Sequence, residues 1–127
     1  MSNLRNKTIE FLCICEGYHQ AFKMVHWSTS NKSEHLLTDD IDGSVLEYED
    51  KVAEVAMGSL NTRFGQGDLK TLLPEGKTTE ALLKELKGDI VSYRKEVGDD
   101  IENEGLVNVL NDFLTDINKY NYIRTLK

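Results

Sequence analysis

Proline occurs once, as Pro74, and aromatic residues make up only 8% of the 127-residue chain. So few helix breakers suit long helices better than a sandwich of short strands. Cysteine is scarce as well: Cys13 and Cys15 are the only two. Two positions apart on a helix they point about 200° from each other and cannot bridge. They lack C-x-x-C spacing and a nearby histidine in a zinc pattern, so they read as free thiols in a reducing compartment, at least one of them in the core. No apolar stretch exceeds a few residues, far short of a helical membrane span. Met1 to Lys7 has no apolar segment of the secretory kind, so the cytoplasm is the expected location. A basic arm is missing too. Net charge is −7, from 22 acids against 15 bases, and only Arg5 and Lys7 are positive before Lys23. Neutralising the phosphates of duplex DNA is not expected of such a chain, and neither nucleic acid nor membrane is an expected partner. An acidic balance fits a protein that handles cations and fits an ordinary cytosolic protein equally.

With 39% hydrophobic and 29% charged residues, the chain is long enough to bury one core, and residues 1–127 read as a single domain. Periodicity and punctuation mark four helices. The first runs from about Leu4 to Trp27, with Ile9, Leu12, Phe22 and Val25 apolar. The polar run from Ser28 to Ser33 breaks it and offers N-caps for the second. The second runs from about Ser33 to Arg63 and carries Leu36, Leu37, Ile41, Val45, Leu46, Val52, Val55 and Ala56. A connector around Leu69 to Leu73 follows, between Gly65-Gln66-Gly67 and Pro74-Glu75-Gly76. The third begins at Thr78 or Thr79 with an apolar stripe of Leu82, Leu83, Leu86, Ile90, Tyr93 and Val97, and Gly98 is its C-cap. After a polar turn the fourth starts at Leu106, with Val109, Leu110, Phe113, Ile117 and Tyr120 facing inward. The fold class is all-α: an antiparallel four-helix bundle with a longer link between its middle helices.

The chemistry concentrates between His26 and Glu54. His26 closes the first helix, while His35, Asp39, Asp50 and Glu54 follow on the second in steps of four, eleven and four. On a helix these four side chains fan over about 100° of one face. All are N or O ligands of the type that suits iron, manganese or zinc. Each close pair rises about 6 Å and can serve one centre, but Asp39 and Asp50 are separated by about 16.5 Å. Either the pairs are unrelated, or something brings two halves together. The spacing favours the second possibility, because His35 with Glu54 and Asp39 with Asp50 are symmetric about a point between Ser44 and Val45. A second copy of this helix, antiparallel about a two-fold axis there, would set His35 and Asp39 level with the other chain's Glu54 and Asp50. Gly43 and Ser44 would lie beside the axis as small residues, and His26 would complete the first half. The plain alternatives are that surface acids form a solvated face and that His26 beside Trp27 is a packed histidine.

Val25-His26-Trp27, His35-Leu36-Leu37-Thr38-Asp39 and Asp50-Lys51-Val52-Ala53-Glu54 resemble the Dps-like mini-ferritins of the ferritin-like superfamily. The likeness continues more loosely through the third and fourth helices. It implies a ferroxidase centre between two-fold related subunits, with His26, His35 and Asp39 from one chain and Asp50 and Glu54 from its partner. It also implies iron as the metal, as a di-iron pair cycling between Fe(II) and Fe(III), with zinc or manganese as alternatives. Peroxide is the oxidant often used in the family, and a hollow shell, commonly of twelve subunits, stores ferric mineral. The stretch from His26 to His35 is a few residues shorter than the family's, the connector after the second helix is compact, and the lysine-rich tail used by some members on DNA is absent.

Three further residues are singled out. Trp27, beside a ligand, either packs the site or scavenges an electron hole, which makes it the candidate catalytic residue. Glu16-Gly17-Tyr18-His19 matches the E-x-x-H of larger di-iron bundles, but those need a second copy and the chain has none, so His19 reads as structural or as a minor metal contact. Asp42, near the seam, reads as an outer-sphere acid. The competing reading is a non-catalytic protein that holds metal structurally or uses the fold only for assembly.

Overall fold

A computed structural model describes residues 3–126. Four helices account for most of them: α1 (Asn3–Ser28), α2 (Lys32–Leu60), α3 (Thr79–Val97) and α4 (Glu104–Ile123), with no strand among the described residues. No helix is long and apolar enough to cross a membrane. The helix ends follow local chemistry. Asn31 caps α2 by accepting from the Glu34 amide, and Thr78 caps α3 by accepting from the Ala81 amide. α2 ends at Leu60, three residues before Arg63, capped by Asn61 in the left-handed region, while α3 ends at Val97, capped by Gly98 with φ of 76°. α4 begins two residues before Leu106, after a short 3-10 turn over Ile101–Asn103.

α1 packs on α2 and α3, and α4 packs on the other side of both. The shared core is Phe11, Leu12, Cys15, Tyr18 and Phe22 from α1, and Ile41, Val45, Tyr48, Val52 and Ala56 from α2. Leu82, Leu83, Leu86, Ile90, Tyr93 and Val97 come from α3, with Leu106, Val107, Leu110, Phe113 and Ile117 from α4. The stripe expected of α3 is buried in full. Of the apolar residues on α2, Leu36 is 55% exposed and Leu46 is 40% exposed. Both lie on the face opposite Ile41, Val45 and Val52, so α2 carries two apolar stripes and the bundle uses only one. Both cysteines are free and buried.

The connector between α2 and α3 is extended apart from a 3-10 turn at Gln66–Asp68, and it is strapped to α1. The Leu72 amide donates to the Cys13 carbonyl at 3.1 Å, and the Lys70 amide donates to the Cys13 sulfur at 3.2 Å. Gly17 permits this approach, since a Cβ there would lie 1.8 Å from the Leu72 carbonyl oxygen. At the other end, Glu34 accepts from the Thr29 hydroxyl at 2.5 Å and from the Thr79 hydroxyl at 2.8 Å. One carboxylate thus ties the α1–α2 turn to the start of α3 and fixes the turn that carries the histidines.

Candidate metal centre

His26 sits in the last turn of α1 and His35 in the first turn of α2, so the three-residue turn between the helices brings them together. Their rings stack with centroids 3.8 Å apart and planes 17° from parallel. Each ring nitrogen Nδ1 meets the other residue's backbone carbonyl: His26 to His35 at 2.5 Å, and His35 to His26 at 2.7 Å. A carbonyl oxygen can only accept, so both Nδ1 atoms donate. In the neutral ring that leaves the lone pair on Nε2, and such a backbone contact is how a ligating histidine is commonly held in one tautomer. The carbonyl-rich C-terminal end of α1 adds partial negative charge where a cation would be held.

A cavity of about 130 Å³ adjoins the pair, lined by Lys23, His26, Trp27, Thr38, Asp39 and Asp42. It brings Asp39 to the same wall as His26, one turn along α2 from His35. Trp27 is 64% exposed, with the Lys23 ammonium 5.5 Å from its ring centroid. His19 donates through Nδ1 to Asp42 Oδ1 at 2.6 Å, which links α1 to α2 one step farther along the seam.

Asp50 and Glu54 lie apart from this group, exposed toward the other end of α2. Asp50 instead borders a larger groove of about 630 Å³ lined mainly by apolar residues, among them Ile9, Leu12, Leu46, Ala53, Met57 and Phe64. Among the described residues no three His, Cys, Asp or Glu side chains converge where a metal ion could be held. One chain therefore stacks His26 on His35 and sets Asp39 beside His26 in the cavity lining, without bringing the three together as one metal-holding group, and it leaves Asp50 and Glu54 apart.

The exposed face of α2 has a regular composition. Leu36, Asp39, Gly43, Leu46, Asp50, Ala53 and Met57 recur in alternating steps of three and four as one outer stripe, exposed from Leu36 to Asp50 and half-buried at Ala53 and Met57, where Ala53 packs against the core. A Cβ on Gly43 would meet nothing within 4 Å. Leu36 mirrors Ala53, Asp39 mirrors Asp50 and Gly43 mirrors Leu46, all about the midpoint that relates His35 to Glu54. Ser44 does not share this face. Its hydroxyl meets the Tyr120 hydroxyl at 2.5 Å, so it looks toward α4, and Gly43 with Leu46 are the outward residues at the midpoint.

Sequence reasoning missed Glu49. It is buried in the α1–α2 seam facing Glu16, and its carboxyl is pushed up to about 8, first by desolvation and then by the hydrogen bond and charge of Glu16, with Asp50 adding. The available signal was its spacing from Val45, Val52 and Ala56, which turns Glu49 inward while Asp50 stays out. Cys15, fully buried, has its thiol pushed well up, first by that burial and then by the charge of Glu49, which disfavours a thiolate there. Compared with protein-family models, with curated proteins and with solved structures, the chain matches none.

Proposed function

We propose that the chain is a subunit of a Dps-like mini-ferritin, an antiparallel bundle that takes Fe(II) as substrate and oxidises it at sites shared by two copies of itself. In this reading two α2 helices pack antiparallel about the point between Ser44 and Val45. His26, His35 and Asp39 of one copy meet the partner's Asp50 and Glu54, and two such sites form per dimer. The mirror order of the exposed α2 stripe carries the proposal. It would supply apolar surface and metal donors in one register, on a face that the bundle leaves uncovered from Leu36 to Asp50. The two histidines, with Nε2 free, supply nitrogen donors. The carboxylates balance iron's charge and favour the harder Fe(III) product, and open positions admit peroxide. Trp27, exposed beside the cavity, lies where it can cover the site or give up an electron. Higher assembly into a twelve-subunit shell that stores ferric mineral in the cytoplasm belongs to the same proposal.

A second reading, a helical assembly protein that uses the stripe only for contacts, is favoured by the lack of three convergent donors within one chain. Mixing separates the two. A His35→Ala/Asp39→Ala chain and an Asp50→Ala/Glu54→Ala chain should each fail to bind iron tightly. Their mixed dimers should regain one intact site of the two. If subunit exchange is demonstrated and tight iron binding does not return, the shared site is wrong.

A further inference from the structure

The geometry points to a proton-accepting pair, Asp42 held by His19, serving the iron site proposed above, and the inference rests on that reading. Asp42 is outside the ligand set, yet it lines the same small cavity as His26 and Asp39. Its side chain is 13% exposed and that of His19 is 23% exposed. The His19 Nδ1–H fixes Oδ1 at 2.6 Å, and Oδ2 has no hydrogen-bond partner among the described residues. The cavity lining comes from α1 and α2 alone, and the charged or titratable groups that share it with Asp42 are Lys23 and His26 from α1 and Asp39 from α2. Glu16 lies one turn from His19 on the same helix.

The reaction needs such an acceptor. Two Fe(II) ions give one electron each to a hydrogen peroxide molecule, whose O–O bond breaks. With two waters the products are two FeO(OH) units and four protons, which balances atoms and charge. Those protons leave waters that become bound to a highly charged ion in a confined cavity. A carboxylate that binds no metal but borders the cavity takes them without competing for iron. His19 is a positioning residue: it keeps the carboxylate at the wall, and its free Nε2 gives the proton an onward route. Spacing supports the pairing with the site, since His19 and His26 are seven residues apart and share a helix face, and Asp42 follows Asp39 by three.

The test uses the full chain and four variants, Asp42→Asn, His19→Gln, the two combined, and Asp42→Ala, all checked for helicity. Anaerobic Co(II) titration reads binding, and rapid mixing of Fe(II) with peroxide reads oxidation. Asp42→Asn and His19→Gln should both bind Co(II) within about twofold of wild type and oxidise iron at least about tenfold more slowly, the lower end of what a positioned base contributes. The combined variant should be no slower than Asp42→Asn, because His19 acts through Asp42. Formate should accelerate Asp42→Ala more than wild type, a rescue that a purely structural role would not show. Oxidation within twofold of wild type in Asp42→Asn overturns the inference. So does loss of Co(II) binding in that variant, which would make Asp42 a ligand. A wild type that neither binds Co(II) nor oxidises Fe(II) overturns the underlying iron reading instead.

Discussion

Replacing Leu36 and Leu46 together by glutamine tests whether the outer stripe of α2 holds two copies together. Leu36 is 55% exposed and Leu46 is 40% exposed, so each chain shows nearly one whole leucine side chain on this face. Burying a whole leucine contributes about 1.5–3 kcal/mol. A symmetric dimer covers the equivalent of about two, so the stripe contributes roughly 3–6 kcal/mol to association. At about 1.4 kcal/mol for each tenfold, the double variant should weaken the dimer by roughly 10² to 10⁴. Glutamine keeps the helix propensity and most of the stem, and exposed positions usually change folding by less than about 0.5 kcal/mol. The monomer should therefore keep its helicity and unfold near the wild-type denaturant midpoint. Sedimentation over a wide concentration range reads the association, and iron oxidation per chain should fall with the dimer fraction. A double variant that associates as tightly as wild type would remove α2 from the interface, and the mirrored spacing would then be coincidence.

Two other predictions concern the bundle itself. Gly17→Ala should push the strap off α1, because the new Cβ would meet the Leu72 carbonyl oxygen at 1.8 Å; an overpacking cost of about 1–3 kcal/mol in denaturant unfolding is expected, with faster hydrogen exchange at the Leu72 amide. Glu49, raised to about 8 in the folded chain against 4.5, binds its proton more tightly folded than unfolded, so its contribution is fully present below about pH 4.5 and is lost as pH rises through 8. Glu49→Gln should accordingly match wild type in stability near pH 4 and exceed it above pH 8, by on the order of 1–2 kcal/mol after solvent screening. Equal unfolding free energies for the two at pH 9 would show that the carboxyl does not suffer from its burial.

The fold was legible where one helix has one apolar face. α3 is such a helix, with a clean stripe between a threonine cap and Gly98, and every residue expected inside it is buried. α2 was harder to read because hydropathy counts apolar residues without saying which of two stripes faces the bundle. Leu36 and Leu46 are apolar like Ile41 and Val45 but belong to the outer stripe. α1 hid its core in residues that read as amphipathic: Tyr18 is fully buried because its hydroxyl finds Asp89 at 2.6 Å. The buried acid Glu49 was illegible for the same reason: it is one of 22 acids, and only the packing of α1 on α2 distinguishes it from a solvated face. The spacing of His35, Asp39, Asp50 and Glu54 was readable because it depends on one straight helix. The reciprocal contacts of His26 and His35 were not, since they depend on how the turn at residues 29–31 closes.

The apolar and metal-binding parts of the stripe constrain each other under the shared-site reading. With two α2 helices antiparallel about the midpoint, Leu46 lies against the partner's Gly43 and Leu36 against the partner's Ala53, so large residues meet small ones throughout. Sliding the partner by three residues one way sets Leu46 against the partner's Leu46 and puts His35 opposite the partner's Met57. Sliding it the other way sets Gly43 against the partner's Gly43 and puts His35 opposite the partner's Lys51. One slip crowds the interface and the other leaves it hollow, and each costs packing while it separates the donors. Under the proposal, the same register would therefore serve steric fit and metal binding. In that proposal, leucine and glycine at the centre of the stripe would select the alignment in which the two half-sites become complete.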